Sequence, residues 1–425
     1  MSLKKNILAI YGATGVIALA PILAMPWYLS ALGPGQFGLI SFVMMLQAVF
    51  GLLDAGMSQA LVREFAERLH GNDTLRDDRG AARLLLGFER VYWLLGFSVA
   101  GIALLLSRVI ATHWLKLGDV PFALGALAVQ GSAALFAAQF PGSLYRSLLV
   151  GAQAHIPLSR VMLIFAVLRH GGGVAVIMLF PSLAVYLIWH AALALMETGV
   201  RAVLAWHTLG TTRRKLKLGA PVTIPRSVWK MVMGLSGSAL LGTLTVQMDR
   251  IVLSRMVSIE QLGYYTLAAS AAIGLLQLIN PLQQAVLPHA VSLRENGAVL
   301  YRLYWKLFGI IAAISLAATL GYLFLGEWLL GIWLHDLSVV KEVRSLLSIL
   351  LIGTMLNAFY AIGYINWIVH GQVRHILFVN GLSCAIAAVL IPQLVSWKGT
   401  MGATFGWLSI NLVGFALSLG WARRK

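Results

Sequence analysis

Charged side chains interrupt several long apolar runs of this chain. Arg169 and His170 lie in the middle of one run and are followed by three consecutive glycines, and Glu89 stands beside Arg90 in another. A charged group inside a membrane-spanning segment costs about 2.5–3.5 kcal/mol on insertion scales. Such groups therefore usually face protein or water and serve a function. These positions are the first candidates for a binding site.

Arginines within the apolar runs favour an anionic ligand, because guanidinium binds phosphate or carboxylate through two parallel hydrogen bonds. We expect Arg169, Arg90 and Arg146 to hold the anionic group. Arg250, which follows Asp249 at the end of a later run, is a fourth candidate. Acidic residues and a histidine would carry a proton or sodium ion, or gate the pathway. These ion-coupling candidates are Asp54, Glu89, Glu197, His170 and Asp249.

The same residues also have structural interpretations. Glu197 and Arg201 are four apart, so on a helix they share a face and can form an ion pair. Asp54 and Asp249 stand near predicted helix ends, where a carboxylate caps a helix or fixes a turn. Glu89 and Arg90 would pair with neighbouring helices. Arg169 differs, because it is too central for its side chain to extend to the membrane surface, and we favour function there.

Composition identifies the class of protein. Of the 425 residues, 59% are apolar and 11% charged, whereas soluble domains have roughly 45–50% apolar and about 25% charged residues. The net charge of +17 is explained by lysine and arginine in cytoplasmic loops, so we expect no nucleic-acid partner. The single cysteine, Cys384, excludes an intramolecular disulfide and a cysteine-rich metal site. The sequence therefore predicts a polytopic membrane protein.

Sequence motifs of other chemistries are missing. The chain contains no G-x-x-x-x-G-K-[ST] phosphate loop, no H-E-x-x-H and no G-x-S-x-G, so we expect no ATP site, no metal and no cofactor. Only His370 and His375 come near a ligand spacing. A membrane-embedded polymerase or ligase would need a large outer loop, and the longest predicted one, 326–342, is small. We therefore expect a transporter rather than an enzyme.

Apolar segments long enough to cross a bilayer recur along the whole chain. A span needs about 20 apolar residues to cross about 30 Å, which predicts an all-α fold with about twelve transmembrane helices. The charged connection 57–79 carries Leu61, Phe65 and Leu69 at intervals of four and predicts a helix lying on the inner surface. The predicted spans are roughly 7–29, 37–56, 82–106, 120–143, 157–180, 182–207, 228–252, 262–288, 303–325, 344–369, 373–396 and 401–422.

The distribution of lysine and arginine predicts the orientation. Most of them fall on connections that are cytoplasmic if the N-terminus is cytoplasmic, which places both termini there. The longest basic connection, 208–227, separates an N-terminal half, 1–207, from a C-terminal half, 228–425. Each half has six predicted spans and the same orientation. This is a parallel repeat about a pseudo-two-fold axis along the membrane normal.

A related phrase occurs in both halves: Leu29-Ser30 leads into Gln36-Phe37-Gly38-Leu39, as Leu253-Ser254 leads into Gln261-Leu262-Gly263-Tyr264, with one extra residue in the later copy. Residues 28–38 read Tyr-Leu-Ser-Ala-Leu-Gly-Pro-Gly-Gln-Phe-Gly, and 53–56 read Leu-Asp-Ala-Gly. The second half has Gln-Met-Asp-Arg-Ile-Val-Leu-Ser at 247–254 and Leu-Gly-Tyr-Tyr-Thr-Leu-Ala at 262–268. These motifs resemble the polysaccharide transporter family, the Wzx-type O-antigen flippases of the multidrug/oligosaccharidyl-lipid/polysaccharide exporter superfamily.

The resemblance implies a multi-pass protein of the bacterial inner membrane. It would move an undecaprenyl-pyrophosphate-linked oligosaccharide, an O-antigen or related repeat unit, from the inner to the outer leaflet. Transport would proceed by alternating access and use a proton or sodium gradient. The partners would be this substrate, membrane lipid, and the polymerase and chain-length regulator of the same pathway.

Two other transport functions remain open. A lipid II flippase of peptidoglycan synthesis resembles this superfamily but usually carries two extra spans. A cation-coupled multidrug exporter would favour acidic residues in its cavity, whereas the most central charge here is Arg169.

Overall fold

Helices account for nearly all of the structure. The computed structural model describes residues 3–70, 77–210 and 226–422, and no strand occurs in these ranges. Within the described ranges, ten helical segments are long and apolar enough to cross a membrane. The prediction of an all-α, multi-pass membrane protein is thus confirmed. Most of the predicted basic connector, 208–227, lies outside the described residues.

The chain divides into two compact units, Met1–Thr243 and Leu244–Lys425. The division falls inside α7 (Arg226–Met256), which coincides with the seventh predicted span. The halves predicted from sequence, 1–207 and 228–425, remain a prediction. The other helices of the N-terminal unit are α1 (Leu3–His70), α2 (Asp78–His113), α3 (Phe122–Gly151), α4 (His155–Val167), α5 (Gly173–Leu179) and α6 (Leu183–Thr208).

The N-terminal unit is built around α3, which packs against α1, α2 and α6. Glycines on α3 permit this close approach, as small residues do between membrane helices. A Cβ on Gly142 would lie 2.7 Å from Oγ1 of Thr198 on α6. A Cβ on Gly151 would lie 2.8 Å from Cβ of Phe65 on α1. Substitution at either position would separate the helices that position the site described below.

Helix α1 contains the first two predicted spans, which meet at Gly33. Gly33 has φ 77° and ψ 168°, a backbone conformation that glycine adopts without steric cost. Just before this break, the Ser30 hydroxyl donates a hydrogen bond to the Trp27 carbonyl at 3.1 Å. In the C-terminal unit, Ser254 donates to the Ile251 carbonyl at 2.7 Å immediately before α7 ends. In each phrase, the serine thus donates a hydrogen bond to the carbonyl three residues earlier.

Residues 57–70 continue α1, and the prediction of a separate helix on the inner surface is wrong. Leu61 and Phe65 are fully buried in a core shared with Leu85 of α2 and Leu148 of α3. The spacing of four marks the side of α1 that packs against protein and not a stripe that faces the membrane surface. The opposite side carries an exposed ion pair between Arg63 and Glu67.

The C-terminal unit is organised around α10, which packs against α8, α9 and α12. Helix α11 packs against α12. A tight turn joins α10 to α11, with Gly371 at φ 67°. The helices are α8 (Ile259–Ser292), α9 (Gly297–Leu334), α10 (Leu337–Val369), α11 (Val373–Lys398) and α12 (Thr400–Ser418), followed by a 3₁₀ turn, Leu419–Ala422.

Candidate functional site

A cavity of about 300 Å³ lies within the N-terminal unit. Helices α1, α3, α4 and α6 and the turn after α4 contribute its walls. Four of the predicted site residues meet here, together with Arg201, the predicted partner of Glu197, and with polar residues that the sequence did not single out. The polar lining residues are Asp54, Gln139, Ser143, Arg169, His170, Glu197, Thr198 and Arg201.

Glu197 is bound by two arginines. Nη2 of Arg169 lies 2.7 Å from Oε2 of Glu197, and Nη2 of Arg201 contacts the other carboxylate oxygen. The side chains are mostly buried, with exposed fractions of 23% for Arg169, 14% for Arg201 and 10% for Glu197. The group carries one net positive charge. The Nε atoms of both arginines lack a partner among the described residues, so each guanidinium keeps a free donor.

A π-helical turn, Leu168–Gly172, sets the position of Arg169. It joins α4 to α5, so that His155–Leu179 is one continuous membrane segment. Nε1 of Trp189 on α6 donates to the Leu168 carbonyl at 3.2 Å, which gives that carbonyl a partner outside its own helix. π-Helical turns occur frequently at functional sites. The turn projects Arg169 onto α6, where it reaches Glu197.

His170 belongs to an aromatic cluster beside the cavity. Its ring lies 6.0 Å from that of His190, which lies 3.9 Å from the ring of Tyr186. Tyr28 packs edge-on against Tyr186 at 5.2 Å. The cluster thus holds two buried imidazole nitrogens, Nδ1 of His170 and Nε2 of His190, with no partner in the part of the chain that the structure describes.

Asp54 lines the same cavity but contacts hydroxyl groups instead of arginine. Oδ1 accepts a hydrogen bond from Tyr92 at 2.8 Å, and Oδ2 accepts one from Ser58 at 2.7 Å. Ser58 is one turn away on α1, and Tyr92 comes from α2. Asp54 therefore both fixes α2 against α1 and places a carboxylate in the cavity wall.

Three predicted residues of the N-terminal unit do not line the cavity. Glu89 is 3% exposed and accepts hydrogen bonds from Tyr145 and Trp206, each at 3.0 Å, which ties α2 to α3 and α6. Arg90 is exposed on the outside of α2. Arg146 is exposed on α3, close enough to Arg201 for their charges to interact.

Asp249 and Arg250 lie in the C-terminal unit and line a cavity of about 20 Å³, large enough for about one water molecule. Asp249 is buried and accepts hydrogen bonds from the Tyr265 hydroxyl and the Arg250 amide. Nη1 of Arg250 lies 3.5 Å from Oε1 of Gln247. Among the described residues, no three histidine, cysteine or carboxylate side chains are grouped as metal ligands.

Sequence reasoning missed a chain of amides beside the cavity. Nε2 of Gln139 donates to Oε1 of Gln47 at 2.8 Å, and Gln47 donates to the Ser132 carbonyl at 2.7 Å. Thr198 donates to the Ala138 carbonyl at 2.8 Å. The only signal was a glutamine within each of two apolar runs. Because a buried amide needs partners, such residues identify helices that face protein.

Comparison with known proteins identifies the fold. A family model described as polysaccharide biosynthesis protein matches residues 3–294. No curated protein matches the chain. A structure of the lipid II flippase MurJ, in an inward closed conformation, is 12% identical with a TM-score of 0.74, and the match covers 98% of this chain and 87% of that one.

Two other similar structures are transporters of the MOP superfamily. An inward-facing MATE family multidrug resistance transporter is 16% identical with a TM-score of 0.70, and the match covers 95% of this chain and 93% of that one. A transporter from Pyrococcus furiosus, described as having a binding pocket of reverse polarity, is 16% identical with a TM-score of 0.58. The match covers 99% of this chain and 94% of that one. At these identities the similarity establishes the fold.

Proposed function

The chain belongs to the polysaccharide biosynthesis protein family, and we propose that it is a flippase for an undecaprenyl-pyrophosphate-linked oligosaccharide. The substrate would be an O-antigen or related repeat unit, moved from the inner to the outer leaflet of a bacterial inner membrane. The family match and the transporter fold support a flippase. The chemistry of the N-terminal cavity supports the lipid-linked anionic substrate.

The observation that carries this proposal is the carboxylate shared by two buried arginines. A diphosphate presents the same oxygen geometry to guanidinium as a carboxylate does, with more charge. The headgroup would replace Glu197 on Arg169 and use the free Nε donor as well. Glu197 would keep Arg201. In the absence of substrate, Glu197 serves as the counterion that prevents an unpaired buried charge, which would be costly.

The negative charge of the substrate decides which of the candidate residues could couple transport to an ion gradient. A phosphate in the cavity would make Asp54, Glu197 and His170 bind a proton or cation more tightly, so ion and substrate would travel together. An ion that flows inward can drive export of the substrate only if binding of the ion weakens binding of the substrate. By thermodynamic linkage, the substrate must then weaken binding of the ion by the same factor. We therefore assign the driving ion, a proton or sodium ion, to Asp249 in the C-terminal unit. Alternating access would connect it to the substrate cavity.

A second candidate is lipid II transport, because the MurJ structure is similar over nearly the whole chain. Lipid II transport is also compatible with arginines that bind a phosphorylated lipid. Cation-coupled drug export is less consistent with the cavity, because both arginines already neutralise Glu197 and Asp54 alone would attract a cation. Genetic complementation distinguishes the first two functions directly.

The decisive experiment uses Arg169→Ala in a strain that lacks its own O-antigen flippase. We expect the wild-type chain to restore surface polysaccharide and the variant to restore none, at equal protein levels in the membrane. The matched control is Arg63→Ala, which removes an exposed arginine that also pairs with a glutamate but lies outside the cavity. Normal surface polysaccharide with Arg169→Ala would refute the assigned headgroup site.

A parallel experiment uses a strain depleted of its lipid II flippase. We expect the wild-type chain to give no growth there. Growth in that strain, without restoration of surface polysaccharide in the first, would assign the protein to peptidoglycan synthesis instead.

A further inference from the structure

A second, larger cavity lies in the C-terminal unit, far along the chain from the cavity that Arg169 lines. Its volume is about 590 Å³, within the 300–1,000 Å³ typical of ligand pockets. It forms where the start of α9, the turn between α10 and α11, and the end of the chain after α12 meet. Tyr304, Trp367, Gln372, His375 and Trp421 are among its walls.

Aromatic rings form two walls of this cavity. The rings of Trp367 and His375 are nearly parallel, with centroids 6.2 Å apart and an angle of 23°. Tyr304 and Trp421 meet edge to face, at 6.1 Å and 74°. The described lining residues include no carboxylate, lysine or arginine. Aromatic rings, amide groups and two histidines therefore line the cavity.

Two buried donors in the cavity wall lack partners. The Tyr304 hydroxyl and the Trp421 Nε1 have no hydrogen-bond partner among the described residues. Both residues are nevertheless buried, with exposed fractions of 2% for Tyr304 and 5% for Trp421. A buried donor without an acceptor loses the hydrogen bond that it makes with water in the unfolded chain, which destabilises the fold. Both belong to residues that line the cavity, so a ligand there would give them acceptors.

We propose that this cavity binds the sugar part of the substrate, as a carbohydrate subsite separate from the arginine cavity. A pyranose ring presents an apolar face of C–H groups, which packs against an indole, and a rim of hydroxyls. The sugar hydroxyl oxygens would accept hydrogen bonds from Tyr304 and Trp421. The sugar hydroxyls would donate hydrogen bonds to the side-chain oxygens of Gln372 and Asn366. Neutral amides and aromatic rings suit an uncharged sugar better than an anionic headgroup.

The position of the cavity suits the proposed function, on which this inference rests. It lies at the end of the C-terminal unit that carries the C-terminus, which we predict to be cytoplasmic. A flippase that exports a glycan must first bind it on that side.

The test measures binding of free, lipid-less sugars to the full-length protein in nanodiscs by saturation-transfer NMR. The probes are N-acetylglucosamine, galactose, mannose and rhamnose. We expect saturable binding of at least one, with a dissociation constant raised about two- to tenfold by Tyr304→Phe or by Trp421→Phe, the value of one hydrogen bond. Tyr304→Phe removes an unpaired hydroxyl, so it should leave thermal stability equal or higher.

The matched control is Tyr322→Phe on the same helix, whose hydroxyl already donates to the Arg344 carbonyl at 2.8 Å; it should leave sugar affinity unchanged. The inference fails if no probe binds, or if the Tyr304 and Trp421 variants bind as wild type. It also fails if phosphatidylglycerol added to the nanodiscs displaces the sugar, because the cavity would then be a lipid headgroup site.

The test is independent of the proposed headgroup site. Arg169→Ala should abolish flipping and leave sugar binding intact. If Arg169→Ala still flips substrate while the sugar binds, the headgroup assignment is wrong and the carbohydrate subsite remains.

Discussion

Glu197 shows what residue spacing reveals and what it hides. Its pairing with Arg201 follows from an interval of four on one helix, and the structure contains that pair. The bond to Arg169, 28 residues earlier, depends on a π-helical turn and on the packing of two segments. The spacing of residues along the sequence predicts neither the π-helical turn nor the packing of the two segments. Sequence reasoning therefore found the charged residues but not the group that they form.

Removing the charge of Glu197 should destabilise the protein strongly. Glu197→Gln leaves two buried guanidiniums without a counterion, which costs about 3–5 kcal/mol when one partner of a buried pair is lost. Thermal unfolding in detergent measures the change. In the double variant Glu197→Gln/Arg201→Gln, part of this loss should be recovered, with a coupling energy of about 1–3 kcal/mol.

The control is the exposed pair of the same spacing on α1, Arg63 and Glu67. Glu67→Gln should leave stability nearly unchanged, because solvent screens exposed ion pairs. Equal losses in the two glutamate variants would show that Glu197 is not a buried counterion.

Asp336 gives a pH-dependent helix cap outside the membrane. Its carboxylate accepts hydrogen bonds from the Ser338 hydroxyl at 2.6 Å and the Ser338 amide at 2.8 Å, and these bonds lower its pKa. Because the folded pKa lies below the unfolded one, the charged form stabilises the fold above the unfolded value. This stabilisation disappears as pH falls through the folded value.

Asp336→Ala should lower stability at pH 7 by about 1 kcal/mol, the usual effect of losing an N-cap. The difference in melting temperature from wild type should shrink on acidification through the range of an aspartate. Asp336→Asn keeps a capping oxygen but has no titratable charge. The difference in melting temperature between Asp336→Asn and Asp336→Ala should therefore not shrink on acidification. A difference between wild type and Asp336→Ala that is constant with pH would contradict the capping role.

At the scale of helices, the three glycines after His170 have different surroundings. A Cβ on Gly173 would lie 2.6 Å from the Tyr28 hydroxyl, and one on Gly172 would lie 2.8 Å from the Trp189 ring. A Cβ on Gly171 would meet nothing within 4 Å. The sequence shows three equivalent residues, whereas packing distinguishes them.

Alanine substitutions test this difference. Gly172→Ala and Gly173→Ala should each destabilise by about 1–3 kcal/mol, the usual cost of overpacking, and should reduce transport because they move Trp189 or Tyr28. Gly171→Ala is the internal control and should be neutral or stabilising by up to about 1 kcal/mol, since alanine favours helix more than glycine does. Equal effects at all three positions would argue against this packing.

Element boundaries show the same limit. The apolar spacing of 57–70 correctly predicts a helix with one apolar side, but not what covers that side. Burial of Leu61 and Phe65 against α2 and α3 is a tertiary fact. Similarly, Gly33 and Pro34 predict a turn, and the structure places the break at Gly33. Periodicity thus predicted the type of the helices better than their surroundings.

For the molecule as a whole, orientation in the membrane is a testable prediction. Both termini in the cytoplasm place Asp119, between α2 and α3, outside and Glu295, between α8 and α9, inside. In a background with Cys384→Ser, a membrane-impermeant thiol reagent added to intact cells should label Asp119→Cys and spare Glu295→Cys. Both positions are exposed, so disruption of the membrane should allow both to react; the reverse labelling would invert the topology.

Ion coupling is also a property of the whole molecule. Dissipating the proton or sodium gradient in vesicles should stop flipping by wild type. Asp249→Asn should flip at a low rate that is the same with and without a gradient, while still binding the anionic headgroup. Flipping that is unimpaired without any gradient would reject ion coupling. An Asp249→Asn variant whose flipping still depends on the gradient would show that the ion binds at another residue.

The π-helical turn before Gly173 also constrains how this segment can change in length. Deleting one residue, such as Gly171, would allow an ordinary α-helical repeat through 168–172. A π turn holds one residue more than the α turn that it replaces, so the segments before and after the deletion would keep their orientation about the axis. Gly173 and Ile177, now buried, would still face the core. The deletion would instead remove the widened turn from which Arg169 reaches Glu197, so this segment can lose one residue and keep its packing but not its ion pair.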